Sequence, residues 1–188
     1  QEKYIVSEYL EQGTLRDYLK RHSRLSYKEV VGLAMDLASG LSFLHQRGLV
    51  HRDVKPSNIF LRGQRTVLAD FGIVKGVDLD TARTTGYTVG TPHYMAPEML
   101  GGKKVRLSER TDVYLLGAIL YEVVAGRAPH RGECLMEIVA DIVDSNPPLP
   151  EDTPGDLHME QVLVHLRDTL PDTAILTNGA GNYCGWLH

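Results

Sequence analysis

A mostly helical α+β fold carrying short β-hairpins is predicted by three observations on the 188-residue chain. Apolar residues recur at steps of three and four over long stretches, the period of an amphipathic helix. Thr14 and Ser26 are each followed by an acid three residues later, and Gly48 is placed to end the longer helix, the signatures of a helix start and stop. Two short β-prone runs flank the turn Arg62-Gly63-Gln64-Arg65. With 43% hydrophobic residues, the chain can bury one good core and a small appendage.

In chain order, Tyr4–Leu10 is a β-rich run ending at Glu11-Gln12-Gly13, and Thr14 with Asp17 predicts the cap of a short helix. Ser26-Tyr27-Lys28-Glu29 is a fuller capping box for a long helix whose apolar residues are Val30, Ala34, Leu37, Leu41 and Leu44, with Gly48 placed to end it. Asn58–Leu61 and Thr66–Ala69 read as the two strands of a hairpin. From Gly72 to Thr91 the chain is rich in Gly, Thr and Asp without an apolar period, the pattern of a long functional loop. Ser108–Gly126 predicts the most hydrophobic helix, at the centre of the core, and a further helix is expected over Glu133–Asp144. Asn146-Pro-Pro-Leu-Pro150 with Pro154-Gly155 breaks the chain. Beyond it, His158–Leu170 reads as an amphipathic helix, Ala174–Thr177 as a strand and Asn178–Asn182 as a glycine-rich turn. Two units are therefore expected, 1–157 and a tail over 158–188, and no internal repeat is seen.

A net charge of −4 with no basic face argues against nucleic acid or a membrane surface as partner. Cys134 and Cys184 lack the spacing of a zinc site or a disulfide framework, so a reducing cytoplasm is expected. The longest apolar run, Val113–Val124, is interrupted by Gly117 and Glu122 and is too short for a bilayer, so no membrane segment is expected. Gln1-Glu2-Lys3 leads straight into a strand-like run without the regions of a signal peptide, as in a chain that begins mid-domain. No signal for an oligomeric state is carried.

Reactive groups concentrate between Leu49 and Phe71, where Asp53, Lys55, Asn58 and Asp70 stand in two tight loops joined by the hairpin. Taken alone, His51 reads better as a core histidine. In sequence with its neighbours, His51-Arg52-Asp53 and Asn58 fit the pattern H-R-D-x-x-x-x-N, and Asp70-Phe71-Gly72 fits D-F-G. Gly90-Thr91-Pro92-His93-Tyr94-Met95-Ala96-Pro97-Glu98 and Thr111-Asp112-Val113-Tyr114 with Gly117 follow in order.

On these four motifs, residues 1 to about 157 resemble the C-terminal lobe of a protein kinase, with the N-lobe largely missing. Lys55, two residues after Asp53, resembles the serine/threonine branch. The resemblance implies transfer of the ATP γ-phosphate to a Ser or Thr hydroxyl of a protein substrate, with Mg2+ as cofactor. It implies that Asp53 orients the hydroxyl and accepts its proton, that Lys55 stabilises the phosphate, and that Asn58 and Asp70 bind magnesium. Thr91 would hydrogen-bond Asp53 and Lys55. At the hinge, Ser7 would be the gatekeeper, the backbones of Glu8 and Leu10 would meet the adenine edge, and Phe60 would form its floor. Asp112 would brace the catalytic loop from below, or serve simply as a helix N-terminal acid. Arg52 next to Asp53 implies a loop ordered by phosphorylation, with Thr84, Thr85 and Thr88 as candidates.

Two departures stand against the resemblance. No glycine-rich loop, V-A-I-K lysine or paired glutamate precedes Tyr4, and the arginine that normally pairs with the Glu of Ala-Pro-Glu, here Glu98, is not recognisable. The alternative is a catalytically incompetent kinase-like binding module. The tail, in Leu170-Pro-Asp-Thr-Ala-Ile-Leu-Thr-Asn-Gly-Ala-Gly-Asn-Tyr, resembles a thiamine-diphosphate-dependent enzyme of the acetolactate-synthase type. Glycines after a strand let amides approach a diphosphate, yet they also serve as ordinary loop glycines. The motif that completes a thiamine site is absent, so no cofactor is expected there.

Overall fold

The computed structural model describes residues 8–22, 25–70, 92–104 and 107–144. They form a helix-rich assembly with one two-stranded antiparallel sheet. The expected tail and the loop expected over Gly72–Thr91 lie outside the described residues, as does most of the expected first strand. Its last residues, Glu8–Leu10, are irregular, because the Leu10 carbonyl accepts from the Gly13 N–H at 3.2 Å and the chain is already turning.

Helix α1 spans Leu15–Arg21 and α2 spans Tyr27–His45. Both start as their sequences predict: the Thr14 hydroxyl and Asp17 carboxylate satisfy each other's backbone amides, and Ser26 and Glu29 do the same. Every apolar residue predicted for the α2 core face is buried, together with Val31 and Leu33. Gly48, at φ 68°, takes the left-handed conformation that ends the turn, and the Leu49 N–H returns to the Leu44 carbonyl at 3.1 Å.

Strands β1, Ile59–Arg62, and β2, Arg65–Leu68, pair with Ile59 opposite Leu68 and Arg62 opposite Arg65. The hairpin is fastened to α2 by Asp36, whose carboxylate accepts from the Thr66 N–H at 2.7 Å and from Arg65 Nε at 2.6 Å. On its other side, Leu61 N–H donates to the Gly13 carbonyl at 3.0 Å, which sets the start of α1 beside β1.

Helix α3, Glu109–Ala125, is the centre of the core as predicted, with eleven of its residues buried, and ends at Gly126 with φ 69°. Its Ile119 and Ala118 pack in one cluster with Leu33, Leu37 and Leu41 of α2 and with Leu15, Val54 and Ile59. Helix α4, Leu135–Asp144, starts two residues later than expected and buries only Ile138 and Ile142. Gly132 lets the preceding loop lie against it: a Cβ there would stand 2.7 Å from both Glu137 Cβ and Ile138 N. Short 3-10 turns cover Pro56–Asn58, Pro92–Tyr94 and Pro97–Lys104.

Candidate active site

The loop that follows α2 is held by one buried acid. Asp112, in the first turn of α3 and fully inaccessible, accepts from the His51 N–H and the Arg52 N–H at 2.7 Å each and from His45 Nε2 at 2.8 Å. A buried carboxylate is tolerated only when such donors replace its water. Arg52 takes φ 68°, a left-handed conformation that costs a non-glycine residue about 1–3 kcal/mol, and the bond from its amide to Asp112 holds it there. Of the two open readings of Asp112, the geometry is that of the brace.

His51 is 1% exposed and links the two loops. Its Nδ1 accepts from the Asp53 N–H at 3.3 Å, so the ring proton sits on Nε2 and points to the Ala69 carbonyl at 3.2 Å. Burial holds its imidazole below the ordinary range, in keeping with a neutral ring. Across the same gap, the Ala69 N–H donates to the Asn58 carbonyl at 2.9 Å. Asp70, which comes next, is exposed and also left-handed, at φ 56°.

Three of the sequence-predicted groups meet at one carboxylate oxygen. Lys55 Nζ and Asn58 Nδ2 each donate to Asp53 Oδ2 at 2.8 Å, and Asn58 Nδ2 also donates to the Asp53 carbonyl at 2.9 Å. Asn58 is buried within the turn that Pro56 opens, while Asp53 and Lys55 keep roughly a quarter to a third of their side chains exposed, at 32% and 23%. The Asn58 amide nitrogen is committed to Asp53, so its Oδ1 is the group with lone pairs suited to a cation. The Asp70 carboxylate is a second hard oxygen donor, and both are of the type that magnesium takes. Among the described residues no cluster of three His, Cys, Asp or Glu side chains gathers that could hold a metal by itself.

Of the residues expected near a nucleotide, Phe60 lies on β1 bridged to Thr14, and Glu8 is exposed with Oε1 3.0 Å from an Arg62 guanidinium nitrogen. The Leu10 carbonyl is engaged in the turn to Gly13. Thr91, Ser7 and the threonines at 84, 85 and 88 lie outside the described residues. Glu98, for which no arginine partner was recognisable, accepts from the Thr111 hydroxyl at 2.8 Å.

Two side-chain networks escaped the sequence reading. Tyr94 donates its hydroxyl proton to Glu122 at 2.6 Å and accepts from Arg16 of α1 at 2.8 Å; burial, then Glu122, pushes its phenol well above the usual range. His130 bridges Tyr114 and Asp141. Glu122 carried a signal, being the one acid in an apolar run, since such a group needs a donor. His130 carried none.

Comparison with known proteins places the chain in a family. The family model of the protein kinase domain matches residues 1–164, and the chain belongs to that family. It is 40% identical over 131 residues to the probable serine/threonine-protein kinase CPE1738 of Clostridium perfringens, covering 69% of this chain and 19% of that protein. It is 39% identical over 153 residues to the serine/threonine-protein kinase PknA of Mycobacterium tuberculosis, covering 80% of this chain and 35% of the relative. PknB of Mycobacterium leprae is 36% identical over 146 residues, 77% of this chain and 23% of the relative. The chain thus spans between a fifth and about a third of the length of these relatives. No helix among the described residues is long and apolar enough to cross a membrane.

Proposed function

We propose that the chain is the C-lobe of a serine/threonine protein kinase, a transferase that moves the ATP γ-phosphoryl group to a Ser or Thr hydroxyl of a protein. The observation that carries this reading is the convergence of Lys55 and Asn58 on one oxygen of Asp53, on a loop whose backbone is pinned by buried Asp112. Asp53 orients the acceptor hydroxyl and takes its proton as the oxygen bonds to phosphorus and the bond to ADP breaks. Lys55 leaves Asp53 for the transferring phosphate, or bridges both, and offsets the charge that spreads over its oxygens. Asn58 and Asp70 would hold Mg2+, which when bound would neutralise phosphate oxygens. Thr91 hydrogen-bonds Asp53 and Lys55, and Glu8, Leu10 and Phe60 receive the adenine. The cysteine spacing supports a cytoplasmic setting.

Phosphorylation of a basic protein with ATP and Mg2+, abolished by Asp53→Asn, would establish the activity. Equal incorporation by the variant overturns the assignment. The alternative reading is a kinase-like module that docks partners without transferring phosphate. A thermal-shift titration separates the two, because a nucleotide site stabilises the fold by mass action, about 2.7 kcal/mol at a hundredfold excess over Kd. We assign residues 1–157 to the kinase unit and 158–188 to a tail. For the tail's likeness to a thiamine-diphosphate enzyme, a melting curve unmoved by thiamine diphosphate with magnesium is expected, and a rise would revive it.

A further inference from the structure

His130 is 1% exposed and joins three separate pieces of chain. Its Nε2 lies 2.8 Å from the Tyr114 hydroxyl on α3, and its Nδ1 lies 3.1 Å from Asp141 Oδ2 on α4. A carboxylate only accepts, so Nδ1 carries the ring proton and Nε2 accepts from the phenol. Burial keeps the ring neutral by holding its pKa below the ordinary imidazole range. The carbonyl of the same residue accepts from His93 Nδ1 at 3.0 Å, and the neighbouring Arg131 N–H gives Asp141 Oδ2 a second bond at 3.2 Å. The Pro92–Tyr94 turn is therefore held from one side by His130. From the other it is held by Arg16 of α1, through Tyr94, and α1 packs on the Pro56–Asn58 turn that carries Asn58. An acceptor hydroxyl presented to Asp53 brings its own flanking residues with it. These lie along the surface beside Pro56–Asn58, against which α1 packs while its Arg16 reaches Tyr94 of the Pro92–Tyr94 turn.

We propose that His130 is a positioning residue for the protein substrate, clamping α3 to α4 with its ring while its carbonyl fixes the Pro92–Tyr94 turn, which Arg16 links through α1 to the turn carrying Asn58. The inference rests on the kinase reading above. His130→Phe keeps the ring's volume and removes both nitrogens. In the full chain, the KM for a basic protein substrate rises about tenfold, while kcat and the KM for ATP stay within about twofold, the pattern of a lost binding contact and not of lost chemistry. His130→Gln, whose amide can accept and donate, restores part of the loss, and Tyr114→Phe, which cuts one link, shows a smaller rise. Unchanged protein-substrate KM in folded His130→Phe overturns the proposal. Should that variant not fold, unchanged KM in both His130→Gln and Tyr114→Phe does so. Absence of phosphate transfer by the unsubstituted chain sinks the kinase reading instead, and the clamp is then read by imidazole 15N spectra. A neutral His130 protonated on Nδ1, with His93 ring signals that shift in Tyr114→Phe, supports it; an Nε2-protonated ring or unmoved His93 signals overturn it.

Discussion

Replacing Asp112 by Asn changes one oxygen into an amide nitrogen and little else. Asp112 Oδ2 serves His51 N–H and His45, and Oδ1 serves Arg52 N–H. The least costly placement of the new amide keeps the carbonyl oxygen on His51 and His45 and turns the NH2 toward the Arg52 N–H, donor against donor. An unsatisfied buried donor costs about 1–3 kcal/mol. The left-handed Arg52 backbone also loses the bond that held it, which releases the loop. For a domain of this size, that corresponds to a fall in Tm of roughly 2–12 °C. Were Asp112 only a helix N-terminal acid, the loss would be about 0.3–1 kcal/mol. Glu109, exposed in the same first turn, calibrates that smaller effect through Glu109→Gln. Urea unfolding of both variants, with hydrogen exchange on a peptide covering residues 49–54, measures the difference. The brace predicts a larger cost for Asp112→Asn than for Glu109→Gln and faster exchange at residues 51 and 52. Equal costs with unchanged exchange refute it.

Stability is expected to rise with pH below 6.5 and level off above it. His51 and His130 are both held neutral by burial, below their ordinary 6.5, so the unfolded chain binds more protons in that window, at most about 1.4 kcal/mol per pH unit for each ring. Urea midpoints between pH 5 and 7.5 test this, and His130→Phe should flatten the slope. Gly132→Ala should destabilise by about 1–3 kcal/mol, since its Cβ meets backbone at 2.7 Å, whereas Gly117→Ala in the interior of α3, with open space around it, should stabilise by roughly 0.5–1 kcal/mol. Thermal melts of the pair check both signs. At least one of Thr84, Thr85 and Thr88 is expected to gain phosphate in the active enzyme, for which the Arg52 guanidinium is the counter-charge; an intact mass without added phosphate after incubation with ATP counts against it.

Local rules foretold local structure. The boxes at Thr14 and Ser26, the periodic face of α2, the turn at Gly63 and the stop at Gly126 all depend on residues within a few positions of one another, and each formed where its pattern stood. Motif spacing likewise brought Asp53, Lys55 and Asn58 together, because all three belong to one tight loop. What stayed illegible depends on distant partners. Thr111 on Glu98, Arg16 on Tyr94 and Tyr114 on His130 join residues whose complementarity no periodicity announces. Asp112 stood between the two cases: its position was visible, but only the fold could tell a brace from a dipole partner. Glu8–Leu10 show the opposite failure, β-prone composition overruled by the turn that Gly13 draws from Leu10.

The three donors on Asp112 come from residues 45, 51 and 52, separated from it by 67, 61 and 60 positions. Every group that the loop of residues 51–58 contributes is therefore synthesised well before the residue that orders it. A chain growing from its N-terminus carries the loop unpinned until α3 has been made and docked, and closing a loop of about 60 residues has a modest but real entropic cost. Maturation of the site is thus a late event timed by the core helix, and a chain ending short of residue 112 would hold Asp53, Lys55 and Asn58 without the architecture that aligns them.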